Sequence, residues 1–319
     1  MNIIDSHMHV GLNGLSSRGV IKYLDKRKID YCWLLTWEEV NPGPWHYQSL
    51  PVEKVYEAHL QYPSRVVPFY APDPHKSDAA TQLENWYKKG IRGCGELKAT
   101  LNWESNEVKL LLQAAEKLKM PVVFHMEEDD SCCLPYSDAI FDRLLSAALN
   151  TKKGIYRIPR KLLELIVNNY APLKSRMKSY FFPGYMLDFA SLEMTLRNYP
   201  GIRFIAHGPM FWKYLSADAS NDRKELYPRG SVHGEGVIWR LLKEYPYLYA
   251  DISGYSGLNS LTRDPESTKK FLSLFENKIL YGTDNLIKGQ MEFLNSLGLS
   301  KSIYNKIYGE NACGIISVS

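Results

Sequence analysis

Three polar residues, Asp5, His7 and His9, stand at alternate positions in the stretch IDSHMHV. Side chains alternate in an extended strand, so these three share one face while Ile4, Ser6, Met8 and Val10 take the other. Two imidazoles so placed are roughly 6 to 7 Å apart along the backbone, and a divalent ion with bonds of about 2.0 to 2.1 Å to nitrogen fits between them. Hydrogen-bonded histidines near a strand end would look the same. What separates the two readings is whether other metal-competent side chains fall at equivalent places.

The elements that must position them are legible as eight short apolar runs with helical segments between. The runs are NIIDSHMHV, DYCWLLTW, RVVPFYAP, IRGCGELKA, PVVFHME, IRFIAHGP, YLYADISG and KILYGTDN. Helix candidates such as SSRGVIKYLDKRK, DAATQLENWYKKG, SNEVKLLLQAAEKLK and LEMTLRNYP separate them. Strands alternating with helices give a parallel sheet, and eight such units are the count of a closed (β/α)8 TIM barrel of the α/β class. One interval is abnormally long. The excess falls in residues 128–190, read as a helical insertion after the fifth strand (DAIFDRLLSAALN, RKLLELIVNN and a turn-rich SYFFPGYM tail) lying over the active-site face. Without a Gly/Ser/Pro linker, residues 1–319 are expected to form a single barrel domain.

In such a barrel, chemistry sits at the C-terminal ends of the strands. The polar oddities fall there: His7 and His9 end the first run, Glu96 the fourth, His125 the fifth, His207 the sixth and Asp284 the eighth. That convergence favours a metal site over a chance pair of histidines.

DSHMH, FHME, AHGP and YGTDN, in this order, resemble the amidohydrolase superfamily. The likeness runs from residue 4 through KIYGENA and is strongest to the amidohydrolase-2 branch. That branch holds metal-dependent hydrolases and non-oxidative decarboxylases such as aminocarboxymuconate-semialdehyde decarboxylase. The resemblance implies His7, His9, His125 and Asp284 as metal ligands and His207 as the catalytic or substrate-polarising histidine. GCGELKA departs from the pattern. Many relatives carry a carboxylated lysine on the fourth strand, and TatD-like deoxyribonucleases a glutamate near this point. Glu96 is therefore expected as a ligand or a nearby acid, with Lys98 as the alternative bridge. If Glu96 bridges, His125 and His207 could hold a second ion.

The expected cofactor is a divalent metal, Zn2+ first and Mn2+ second, one ion before two. Such an ion can bring the pKa of a bound water from 15.7 to about 7. Asp284 would accept that water's proton and return it to the leaving group, while His207 would stabilise the oxyanion on the substrate. Asp5 is read either as orienting an imidazole or as a structural hydrogen-bonding group. The expected function is hydrolysis of a small amide, ester or lactone. Decarboxylation of an unsaturated or aromatic acid is the alternative, and a ligand-binding barrel without catalysis the alternative of another class.

Weaker candidates surround these. His46 could face the site, His59 and His75 read as surface residues, and His233 as a helix-start residue. Trp37, Trp45, Trp103, Phe211, Trp212 and Tyr255 follow strand ends and could line an aromatic pocket. Lys98, Lys213 and Arg229 could anchor an anionic small-molecule substrate.

Composition excludes other classes. With 45% hydrophobic and 23% charged residues the chain reads as an ordinary globular protein. A net charge of +4 comes from scattered lysines and arginines, so no nucleic-acid partner is expected. No apolar run is long enough for a membrane span, and no export signal is apparent at the N-terminus. Cys32, Cys94, Cys132, Cys133 and Cys313 contain no CxxC pair, which argues against a disulfide framework and fits a reducing cytoplasm. Cys132 and Cys133, after the acidic EEDDS, are left open to a redox or metal role. Homo-oligomerisation is compatible with this composition, which does not decide it.

Overall fold

A computed structural model describes residues 2–38, 49–135, 177–221, 225–284 and 286–317. The eight apolar runs contain the parallel strands β1 (Ile4–Met8), β2 (Tyr31–Leu34), β3 (Val66–Pro68), β4 (Cys94–Leu97), β5 (Val122–His125), β8 (Phe204–His207), β9 (Leu248–Asp251) and β10 (Ile279–Leu280). They hydrogen-bond in the orders β1-β2-β3 and β10-β9-β8-β5-β4. Backbone contacts also cross both gaps. A parallel bridge pairs Phe69 with Gly93, and Tyr70 N donates to Gly93 O at 3.0 Å. On the other side Ser6 N donates to Tyr281 O at 2.9 Å and Asp284 N to His7 O at 2.8 Å. The strands therefore follow one another round a (β/α)8 TIM barrel.

The helices form where the sequence supplies a start signal. Ser16 Oγ accepts from Gly19 N ahead of α1 (Ser17–Arg27), and Ser105 Oγ from Val108 N ahead of α4 (Asn106–Lys117). The helix Phe189–Asn198 is capped in the same way by Asp188. Two apolar clusters result from the alternation of side chains along the strands. One gathers Ile4, Trp33, Leu35, Val67, Phe69, Val123, Ile205 and Leu280 inside the ring, with Ala312 and Ile315 from the C-terminal helix. The larger one joins Leu34, Val122, Phe204 and Ala250 to the helices outside, through residues such as Leu24, Leu83 and Leu112.

The chain divides into two compact units: Met1–Glu39 with Gln48–Glu128 and Gly184–Ser319, and Val40–Tyr47 with Asp129–Pro183. The second unit nearly coincides with the excess length read over 128–190. Its described part is an antiparallel pair, β6 (Asp130–Pro135) and β7 (Met177–Phe182), in register from Asp130↔Phe182 to Pro135↔Met177. SYFF, expected as part of a turn-rich tail, is thus strand, as its aromatic content favours. The helix patterns DAIFDRLLSAALN and RKLLELIVNN lie outside the described residues, as do Trp45 and His46.

Candidate metal centre

Every strand that carries a candidate ligand brings it to the same end of the barrel. His125 and His207 are the last residues of β5 and β8 and pair with each other across the sheet. His9 follows β1, Glu96 lies in the last turn of the pleat of β4, and Asp284 follows β10. Parity alone does not place them. The ladder shifts register between Asp5 and Met8 in β1 and between Cys94 and Leu97 in β4, at the two strands that deliver His7 and Glu96. Such irregularities re-aim side chains at barrel rims. They explain how Ile4 fills the barrel interior while His7, three residues later, reaches the centre.

The polar atoms converge. His7 Nε2 and His9 Nε2 are 3.2 Å apart, and Glu96 Oε2 is 3.5 and 3.4 Å from them. Asp284 Oδ1 is 3.4 Å from His9 Nε2, and Asp284 Oδ2 is 3.9 Å from His207 Nε2. The other oxygen of Glu96 turns away from the first pair. Oε1 is 2.7 Å from His125 Nδ1 and 3.8 Å from His207 Nε2. Among the described residues, three overlapping groups could each hold an ion: His7, His9 and Glu96; His7, His207 and Asp284; and Glu96, His125 and His207. His125 thus shares a group with Glu96 and His207, and in none of the three is it grouped with His9 or Asp284.

Hydrogen-bond partners fix what these nitrogens present. His7 Nδ1 faces Asp251 Oδ2 at 2.8 Å and His9 Nδ1 faces Leu35 O at 2.9 Å. Both partners can only accept, so each Nδ1 carries the hydrogen and each neutral ring turns an Nε2 lone pair inward. Two lone pairs and a carboxylate oxygen within 3.5 Å of one another require a positive charge among them. Donors around a tetrahedral ion with bonds of about 2.1 Å lie roughly 3.4 Å apart, so the donor set fits a divalent cation in both spacing and chemistry.

Without a cation, the negative charge around the rings favours a proton in its place. Burial opposes charge on His7, but Asp251 and Glu96 hold its pKa well above the ordinary value. Burial raises Glu96, yet Lys98 and His7 leave it well below the carboxylate range. Asp284 is likewise held low, against burial, by His9 and His7. Burial and the nearby His7 lower His207 despite Asp251. His125, between Glu127 and Glu96, is raised in spite of burial and Lys98.

The whole architecture can be compared with solved structures. No protein-family model matches the chain, and no curated protein does. Solved structures do. A probable 2-pyrone-4,6-dicarboxylic acid hydrolase from Acinetobacter baumannii, with citric acid bound, superposes with a TM-score of 0.53 at 15% identity, covering 99% of both chains. A structure described as a "putative amidohydrolase" from Staphylococcus aureus gives 0.52 at 15% identity, again over 99% of both. An uncharacterised TIM-barrel protein from Bordetella bronchiseptica gives 0.55 at 12% identity over 100% of this chain and 99% of that one. The chain shares the TIM-barrel fold of these structures.

Within this barrel the structure decides between the two readings of Asp5 and adds a carboxylate. Asp5 makes no contact with an imidazole; it accepts from Thr283 N at 2.9 Å, Thr283 Oγ1 at 2.5 Å and His7 N at 3.2 Å. The carboxylate that orients the histidines is Asp251, which sequence reasoning missed. It ends the seventh run, YLYAD, as His125 and His207 end theirs, and that placement was the available signal. Asp251 Oδ1 lies 3.0 Å from His207 Nδ1, and Ser253 donates to the same oxygen through its hydroxyl and, at 2.9 Å, its amide. Close approach on this side needs glycine: Gly254 has φ of +72°, and a Cβ there would lie 3.0 Å from Asp284 Oδ2. Gly208, with φ of +104°, brings the chain after His207 so near Met126 that a Cβ would meet its carbonyl at 2.5 Å.

Other candidates resolve differently. Lys98 Nζ is 3.4 Å from Glu96 Oε2 and 3.8 Å from the centre of the Trp37 ring, whose edge-to-face partner at 4.6 Å is His9. Lys213, read as an anion anchor, is buried with its ammonium 2.7 Å from Glu128 Oε2, so an acid of the protein itself meets its charge. Trp103, Phe211 and Trp212 are core, not pocket lining, and only Tyr255 of the described aromatic candidates is exposed. Arg229, His75 and His233 are exposed. His59, expected at the surface, is half-buried with Nδ1 2.8 Å from Val66 O. Beside His9, the loop after β1 and Leu286 form a cavity of about 280 Å3 lined by Leu12, Asn13, Gly14 and Leu15. No described helix is long and apolar enough to cross a membrane.

Proposed function

We propose that this chain is a metal-dependent hydrolase of the amidohydrolase type, acting on a small carbonyl compound. The observation that carries the reading is the inward pair of Nε2 lone pairs of His7 and His9, 3.2 Å apart and facing Glu96. His7, His9, Glu96 and Asp284 would hold a divalent cation, Zn2+ first and Mn2+ second, and Glu96 Oε1 with His125 and His207 would accept a second. When bound, such an ion supplies a Lewis acid that polarises a carbonyl and acidifies water.

The protein's own groups handle the proton. Asp284, with its side chain 20% exposed, is the acid of the cluster most open to an incoming molecule. It accepts the proton of the attacking water and returns it to the leaving group. His207, with Nε2 3.9 Å from Asp284 Oδ2, would in its doubly protonated form donate to the substrate oxygen and stabilise the developing oxyanion, using a proton separate from the one Asp284 carries. A small anionic substrate is favoured by the citric acid held in the Acinetobacter barrel. The test combines elemental analysis of the purified protein with a screen of lactones, esters and amides that carry a carboxylate. Stoichiometric Zn2+ or Mn2+ with hydrolysis products supports the reading. Release of CO2 in place of hydrolysis, or no metal and no affinity for added Zn2+, removes it.

A further inference from the structure

One buried carboxylate touches two histidines that the chemistry treats separately. Asp251 is fully buried at the end of β9, and its two oxygens divide between the rings: Oδ2 lies 2.8 Å from His7 Nδ1 and Oδ1 lies 3.0 Å from His207 Nδ1. The arrangement is itself braced. Ser253 gives its hydroxyl hydrogen to Oδ1, so its oxygen, 3.0 Å from His207 Nδ1, is left as an acceptor too. Trp212 Nε1 donates at 2.8 Å to the Asp251 carbonyl, fixing the backbone. The rings of His7 and His207 lie with centroids 4.2 Å apart, so neither can turn without meeting the other.

We infer that Asp251 is a shared positioning residue, which keeps the hydrogen of both His7 and His207 on Nδ1 and so aims both Nε2 atoms at the catalytic centre. The inference rests on the reading of His7 as a ligand and His207 as the substrate-facing histidine, and it adds that one group sets both. Neighbouring carboxylates of this kind fix a ring's tautomer and raise its basicity, and their loss typically lowers metal affinity by about 10- to 100-fold. An asparagine cannot replace it. Its amide offers one acceptor and one donor, so it can hold one Nδ1–H but must face the other ring with N–H, driving that ring to the Nε2–H form.

The experiment is long-range 1H–15N correlation of the histidine rings in the full-length protein, metal-free and with Zn2+ added, with His7→Gln and His207→Gln assigning the signals. Both Nδ1 atoms are expected to read as hydrogen-bearing in both states. An Nδ1 without hydrogen in either ring overturns the inference, and this reading needs no Asp251 variant to fold. In D251N, one ring should invert its tautomer and Zn2+ affinity should fall about 10- to 100-fold, whereas S253A should leave both Nδ1 signals in place. D251N with wild-type tautomers and Zn2+ affinity also overturns it. Correct tautomers in a protein that binds no Zn2+ would uphold the positioning role while removing the proposed metal chemistry.

Discussion

The hydroxyl of Thr283 donates to Asp5 Oδ2 at 2.5 Å, and its amide donates to Asp5 Oδ1 at 2.9 Å. The first barrel strand is thereby tied to the turn after the last one, at residues two before His7 and one before Asp284. Leaving a buried acceptor without its partner costs about 1 to 3 kcal/mol. Thr283→Val should lower stability by about 2 kcal/mol, measured by urea unfolding, and weaken Zn2+ binding. Unchanged values for both would show that the tie does not set the register of His7 against Asp284.

Asp284→Asn tests the proton carrier. The side chain is partly exposed and its backbone, with φ of 37°, suits asparagine as well as aspartate, so the fold should persist with an unchanged near-ultraviolet spectrum. Turnover should fall by about 10²- to 10⁴-fold. A near-normal rate would take Asp284 out of that role.

Lys213 and Glu128 test whether the buried ammonium is structural. Breaking a buried pair at one partner costs about 3 to 5 kcal/mol, while replacing both with apolar residues is often neutral. K213M and E128L should each destabilise by that amount in denaturant, and the double variant should recover most of the loss. A KM effect in K213M without loss of stability would restore Lys213 as a substrate anchor.

Glu193 links pH to stability away from the centre. Arg240 contacts its two oxygens at 2.7 and 3.0 Å, and these hydrogen bonds, with that of Tyr245, hold its pKa at about 2 against 4.5 normally, despite some burial. The folded value lies below the unfolded one, so its stabilisation is complete above about pH 4.5 and is lost as pH falls toward 2. The group is at the surface, so the effect should be about 1 kcal/mol. Wild type should exceed E193Q in stability by that margin at pH 7, and the two should converge as pH falls to about 2.

Strand positions were legible because each run is apolar, β-branched and bounded by turn residues. Candidate ligands were legible because they interrupt those runs at one end. A register shift such as those in β1 and β4 leaves no mark in a sequence, so parity could not decide between the two readings of Asp5, as an orienting acid or a structural hydrogen-bonding group. Asp251 escaped because an acid that binds only other side chains carries no metal-spacing signature. Lys213 was misread because its partner, Glu128, comes from another strand end 85 residues earlier in the chain. The 128–190 segment was legible only as excess length.

The ladder between the last strand and the first has a further consequence for biosynthesis. Residues 7 and 9 leave the ribosome well before their partners at 251 and 284. A chain halted by a premature stop before β10 would possess most of the cylinder and both leading histidines, yet would lack the closing edge and its acid. Growing chains should therefore lack the finished donor set until β10 and the turn after it have been made.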